Sequence, residues 1–275
     1  MSGMTRINTN LQAISSLNAL QRTNSQLGIR QLRLATGSQL NRAEDDSAGY
    51  TIAKKLEARV RGQAKALQNI GDAKSMLTVA EGGLNSIMDI LQSMKEKTVQ
   101  AANDTMGSTE RTAIKNELDA LSAEIGDILS DTTYNGTALF ATTDVSLTFQ
   151  VNAENGDTFA TTITSASVAG LGVATSSLVV ASSASAGATL ALIDTAIATI
   201  SSRNASIGDS QKRLSFKQEN LQTSMVNYEA ARSRIEDADF AKEQMEILKL
   251  QILQQTGTAA LAQANTGPQS VLQLF

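Results

Sequence analysis

Two acidic clusters are the first residues in this chain to ask for chemistry. Asp45 and Asp46 adjoin in one, and Glu236, Asp237 and Asp239 crowd the other. A carboxylate pair works as general acid and base only when both groups converge on one substrate. Adjacent residues on a helix point about 100° apart. The run Asp45-Asp46-Ser47 is instead suited to accepting from the free amides of a helix start. The second cluster has the hard oxygens that calcium prefers, but Arg232 and Arg234 sit at helical spacing and make it a charged, solvated face. Gly62, Gly71, Gly82 and Gly83 form no phosphate-binding fingerprint. The chain has no His and no Cys. Imidazole chemistry, thiol nucleophiles, thiolate metal sites and disulfides are therefore excluded. No catalytic, cofactor-binding or metal site is expected, and the chain does not read as an enzyme.

With the chemistry set aside, what remains is the set of elements. The chain has 275 residues, 41% of them hydrophobic, which is enough for a core. There are 23 basic and 27 acidic residues, a net charge of −4, so bulk charge suggests no phosphate-binding face and no nucleic-acid partner. The charge is unevenly placed. Up to Ala43 the only charged residues are Arg6, Arg22, Arg30, Arg33 and Arg42, and from Ile247 onward only Lys249 is charged. Between Ala141 and Ser202 there is no Lys or Arg. Charge-poor ends of this kind look prepared for burial, with copies of the same chain as one partner. The polar start, Met1 to Asn10, lacks the apolar stretch of a secretory signal, and no apolar run is expected to span a membrane. Three Asn-x-Ser/Thr sequons, at Asn103, Asn135 and Asn204, are too short a pattern to assign glycosylation.

Apolar residues recur at helical spacing outside the centre. Ile7, Leu11 and Ile14 begin one stripe, and Leu20, Leu27 and Leu34 continue at intervals of seven. Leu77, Leu84 and Leu91 repeat likewise, as do Leu214, Leu221, Tyr228 and Ile235. Ile114, Leu118, Leu121, Ile125 and Ile128 keep the same period. Met245, Leu248, Ile252, Leu261, Val271 and Leu272 carry it towards the end. The pattern fits an ordinary helical bundle and also long coiled-coil helices with both termini in one rod. Gly37 ends a helix, and another starts near Asp46 and runs to Gln100, which would be about 80 Å long. A loop at 103–109 precedes a helix capped by Ser108 or Thr109 and continuing through Leu129. Asn135-Gly136 marks a turn. Val145–Val151 and Thr158–Ile163 alternate about Asn155-Gly156 and predict a β-hairpin. The stretch 164–187 has no period and reads as a loop excursion or small exposed cap. Helix is expected again from Ala188. The fold class is mainly α.

Longer motifs stand at both ends in a fixed order. At the front are Ile7-Asn-Thr-Asn10, Leu34-Ala-Thr-Gly-Ser-Gln-Leu-Asn-Arg-Ala-Glu-Asp-Asp-Ser-Ala-Gly49, Ala80-Glu-Gly-Gly-Leu84, Thr133-Tyr-Asn-Gly-Thr-Ala-Leu139 and Phe149-Gln-Val151. At the back are Ala231-Arg-Ser-Arg-Ile-Glu-Asp-Ala-Asp-Phe-Ala241, Gln251-Ile-Leu-Gln-Gln255, Ala262-Gln-Ala-Asn265 and Pro268-Gln-Ser-Val-Leu272. Together these resemble bacterial flagellin, the subunit of the flagellar filament. The resemblance implies that 1–44 and 236–275 pair as a coiled coil in the inner filament core. By the same resemblance 45–140 and 190–235 form a surrounding helical rod, and 141–189 a hairpin with a short variable surface. The family's large outer domains look absent, because the centre is too short for them.

The implied function is self-assembly into the filament that propels the cell, outside the cell, after export without a cleaved signal peptide. Ile7, Leu11, Ile14, Leu20, Leu27, Leu34, Met245, Leu248, Ile252, Leu261, Val271 and Leu272 would form the assembly core. Leu77, Leu84, Leu91, Leu118, Leu121, Ile125, Leu214, Leu221, Tyr228 and Ile235 would pack the rod. Implied partners are other copies, the export apparatus and its chaperone, and the filament cap and hook–filament junction proteins. No nucleic acid and no cofactor is expected. In a lone molecule the charge-poor ends are expected to be disordered.

The sequence also departs from the family. Lys212 stands where Asn is usual, and Asn152 where Gly is. The stretch used by the family for animal immune recognition reads Gln92-Ser-Met-Lys-Glu-Lys-Thr-Val-Gln100. Ser93 replaces the family's key Arg and Lys97 its Leu, among Gln92, Glu96 and Gln100, so weak receptor recognition is implied. A junction protein sharing coiled-coil ends, and a membrane-active amphipathic protein, are the competing readings.

Overall fold

The computed structural model describes residues 9–141 and 143–272. In chain order these form α1 (Leu11–Thr36), α2 (Ser47–Ala101), α3 (Ser108–Asp131), β1 (Thr133–Tyr134), β2 (Thr137–Ala138), β3 (Val145–Gln150), β4 (Thr158–Ile163), α4 (Ser183–Glu236) and α5 (Phe240–Leu272). The fold is mainly α, with two small antiparallel sheets. It divides into two compact units, Met1–Arg59 with Asn227–Phe275, and Val60–Val226.

In the first unit α1 and α5 pair antiparallel. Asn10 fixes one end of the pair: its Oδ1 accepts from the Ala13 amide at 3.1 Å, and its Nδ2 donates to the Ala264 carbonyl at 2.8 Å. Gly37 closes α1 with φ 71°, the left-handed cap that glycine adopts without steric penalty. The chain beyond it meets the segment that precedes α5. Ser38 bridges Asp237, the Gln39 amide donates to the Glu236 carbonyl at 2.7 Å, and the Ala238 amide to the Gly37 carbonyl at 2.9 Å. The two acidic neighbours divide the capping. Asp46 accepts from the amides of Ala48 and Gly49 at the start of α2, whereas Asp45 turns back to the amides of Asn41 and Arg42.

In the second unit α3 and α4 each run antiparallel to α2 around one core. Lys95 meets Asp194 at 2.7 Å and Lys97 meets Glu117 at 2.7 Å, so α2 touches both neighbours near one end. Leu77, Leu84 and Leu91 from α2, Leu118 and Ile125 from α3, and Leu214 and Leu221 from α4 lie in this core, with Leu121 at its margin. The β3–β4 hairpin pairs Phe149 with Phe159 across the strands. The Asn69 side chain donates to the Gln150 carbonyl at 3.1 Å and holds the hairpin against α2. Arg213 lies 4.9 Å from the Phe159 ring centre, within cation–π range.

Four local expectations change. Helix α3 begins at Ser108 behind Gly107, which offers no side-chain cap; Ser108 is inside the helix, not capping it. Helix α4 begins at Ser183, ahead of Ala188, because Ser182 and Ser185 cap each other's amides. The period-free stretch between β4 and α4 is not an exposed cap: Leu171, Val173, Leu178 and Val180 are buried. The Ser122 hydroxyl donates to the Val173 carbonyl at 2.7 Å and ties the stretch to α3. Finally, among the described residues α4 is long and apolar enough to cross a membrane by length and composition, with a window of mean hydropathy 1.4. Sequence reading missed it because small Ala, Ser and Thr residues make up much of that window. Ile193, Ala196 and Ile200 of α4 belong to the same core as Leu84, Ile87 and Leu91.

Candidate assembly surface of the paired termini

The paired termini carry two apolar stripes on each helix, and only one is used within the chain. On α1 the inner face runs through Ala13, Ser16, Leu20, Thr23, Leu27, Arg30 and Leu34, all half-buried. On α5 it runs through Glu243, Ile247, Leu250, Gln254, Gly257, Leu261 and Ala264. Both rows alternate steps of three and four, the knobs-into-holes spacing. Gly257 marks a close approach: a Cβ there would stand 3.4 Å from Leu20 Cδ1. Gln254 donates to Asn24 at 2.9 Å in the same seam. The seam is shallow. Ile247 and Leu250 are buried, but α1 contributes no fully buried residue. The two helices are formed and paired, yet most of their apolar surface stays wet.

Among the described residues the ion pairs of the seam lie at its charged end. Glu243 is buried and accepts from Arg30 Nη1 with both oxygens, at 2.8 and 3.0 Å. Arg33 lies 3.9 Å from the same carboxylate and 3.5 Å from Asp45. Asp45 is held below the usual carboxylate range, first by the Arg42 amide, then by the Asn41 amide and Arg33, against an opposing effect of burial. Arg30 and Arg33 of α1 thus share one buried carboxylate of α5.

The opposite faces are open. Leu11 is 59% exposed and Ile14 50%, and Leu17, Ile29 and Leu32 continue that face of α1. On α5, Met245 is 64% exposed, Leu248 52% and Ile252 64%. At 3.6 residues per turn these residues stand about opposite the seam, except Leu17, which lies about 90° round from it. Leu20, Leu27, Leu34 and Leu261 therefore face the partner helix within the chain, while Leu11, Ile14, Met245, Leu248 and Ile252 face outward. Ile7 lies outside the described residues, and Val271 and Leu272 are described only as backbone of α5. Sequence reasoning missed Glu243, Ile247, Leu250 and Gly257. Their signal was present: Glu243, Leu250, Gly257 and Ala264 fall seven apart, as do Ile247, Gln254 and Leu261.

The remaining sequence-chosen residues lie elsewhere. Tyr228 and Ile235 are half-buried in the first unit, where Arg59 stacks 5.5 Å from the Tyr228 ring centre. Gln92, Ser93, Glu96 and Gln100 are exposed on α2, and Lys97 is half-buried in its ion pair with Glu117. Among the described residues no group of acidic side chains is arranged to hold a metal ion.

The fold is one of long helices, of which α1 and α5 pair in one seam and turn a second apolar face outward. Residues 7–144 match the bacterial flagellin N-terminal helical region and 190–275 the bacterial flagellin C-terminal helical region. A flagellin of Bacillus subtilis is 36% identical over 98% of this chain and 99% of that protein. One from Halalkalibacterium halodurans is 34% identical over 88% and 89%, and flagellin FlaB1 of Treponema pallidum 33% identical over 98% and 99%. The chain belongs to the bacterial flagellin family and is a structural subunit of the flagellar filament.

Proposed function

We propose that the outward stripes of α1 and α5 are the surfaces by which successive subunits join, with 1–44 and 236–275 as the inner core of the filament. The observation that carries this is the second apolar face, Leu11, Ile14, Leu17, Met245, Leu248 and Ile252, left open by an already paired seam. Burying apolar surface is worth about 25 cal/mol per Å². Mutual burial among copies offsets the entropy of ordering them without a nucleotide or any covalent step. The contact joins unlike faces and does not close on itself, so it propagates as a helix. The chain then works as a building element with no catalytic role.

Residues 45–140 and 190–235 form the surrounding layer in this reading, and 141–189 its thin outer surface. Open stripes need cover before assembly, which suits an export chaperone in the cell, and a confined end at which copies meet, which suits a cap. A chain without Cys cannot be cross-linked while passing unfolded through an export channel. Burial of Ile193 and Ile200 within the helical core supports α4 as a core helix over a membrane-active one.

The test is seeded polymerisation of purified subunits carrying Leu248→Ser and Ile252→Ser together. Loss of sedimentable filaments, with helicity retained by circular dichroism, is the expected result. Normal filaments from this variant overturn the reading.

A further inference from the structure

We infer that Met245 is an oxidation site whose conversion to the sulfoxide bars a subunit from the filament. The inference rests on the outward stripe being a contact between copies. With no Cys in the chain, thioethers are its most readily oxidised side chains. Their exposures differ sharply. Met76 and Met94 are buried in the core, and Met88, Met106 and Met225 are half-buried. Met245 alone among the methionines of the described residues is exposed, at 64%. It also stands one turn from Leu248 and two from Ile252, at the start of the outward stripe of α5.

The chemistry is a two-electron oxygen transfer from a peroxide. A lone pair on Met245 Sδ attacks one oxygen of hydrogen peroxide, the O–O bond breaks, and an S–O bond forms. Proton transfer to the departing oxygen releases water, so sulfur is oxidised and the peroxide reduced. The product carries a strongly polar S–O group on a side chain that was apolar and flexible. Along the stripe Leu248 and Ile252 offer no side-chain donor; the donors one turn from Met245 are Lys242 and Lys249, both exposed, with Lys249 donating to Glu246 at 3.5 Å. Burying the group there without a hydrogen bond opposes assembly. A finished filament hides the same sulfur between copies. A subunit is thus vulnerable before it joins and shielded afterwards.

The experiment exposes dilute full-length subunits and finished filaments to the same hydrogen peroxide solution. Oxidation is mapped by peptide mass, and the critical concentration is read from seeded polymerisation. Met245 is expected to oxidise before the other described methionines in free subunits and at least about tenfold more slowly in filaments. The oxidised subunits are expected to need about a tenfold higher concentration to polymerise. The sulfoxide peptide should be depleted from pelleted filaments relative to the supernatant. Met245→Leu should polymerise before and after peroxide, while Met245→Gln, polar without oxidation, should behave as the sulfoxide does. Met245 sulfoxide incorporated into filaments at its share in the starting mixture overturns the inference. So does loss of assembly in peroxide-treated Met245→Leu equal to that of the unaltered chain. If Leu248→Ser with Ile252→Ser blocks assembly and the sulfoxide does not, only the methionine inference falls. If those serine substitutions leave assembly intact, the contact itself is wrong.

Discussion

Asp45 shows how little a carboxylate in this chain needs to be catalytic in order to matter. Its oxygens tie the Asn41 and Arg42 amides to Arg33 of α1, and its folded pKa is depressed from 3.8. A depressed carboxylate stabilises the fold fully above its unfolded pKa and loses that contribution as pH falls through the lower, folded value. Asp45→Asn should therefore be less stable than the unaltered chain at neutral pH, by about 1 kcal/mol. The gap should close below pH 3.8, as measured by thermal melting at stepped pH. The residue scale also sets the expectation for immune recognition. Gln92, Ser93, Glu96 and Gln100 line an exposed part of α2, where the family places a large planar Arg at the position of Ser93. Removing such an anchor costs an interface more than 1 kcal/mol in typical cases. Purified subunits are expected to activate the flagellin-sensing Toll-like receptor weakly, and Ser93→Arg to raise that activity, in a cell reporter assay.

At the scale of elements, legibility followed polarity contrast. The helices of the second unit have one apolar and one polar face, so Leu77, Leu84 and Leu91 announce their period plainly. Helix α5 is apolar on two opposite faces. Period alone could not decide whether Ile247 and Leu250 or Met245 and Leu248 faced α1; that choice depends on where α1 places Leu20, Leu27 and Arg30. The stretch 164–182 was illegible for a different reason. Its buried residues, Leu171, Val173, Leu178 and Val180, are fixed by side-chain bonds such as Ser122 to Val173 and Thr189 to Val179, which follow no repeat. Glycines within α2 were equally silent, and here the structure separates them. A Cβ at Gly62 would stand 2.7 Å from Ala153 Cβ and 3.3 Å from its Cα, at the hairpin turn, while at Gly71 it meets nothing within 4 Å. Gly71→Ala should stabilise the chain by about 0.5–1 kcal/mol through helix propensity. Gly62→Ala should instead destabilise it by about 1–3 kcal/mol as the turn is forced away. Paired chemical denaturation curves would check both signs.

For the whole molecule, the two units differ in what holds each together, and that difference predicts how they respond to truncation. The unit Val60–Val226 has its own core of fully buried residues, including Ile70, Leu84, Ile87, Leu118 and Ile193. The terminal unit has a seam in which α1 buries nothing completely. Removing 240–275 deletes the Glu243 carboxylate that Arg30 and Arg33 share, the Ala264 carbonyl that Asn10 meets, and the whole outward stripe of Met245, Leu248 and Ile252. Helix α1 would then expose both its faces and lose the tertiary packing from which most helical stability in proteins comes. The core of the second unit loses no contact within itself. Deletion of 240–275 is therefore expected to abolish polymerisation while circular dichroism still reports the helices of 60–226. A truncated chain that seeded normal filaments would place the contact between copies on the second unit. One that unfolded throughout would show that the second unit's core depends on α5.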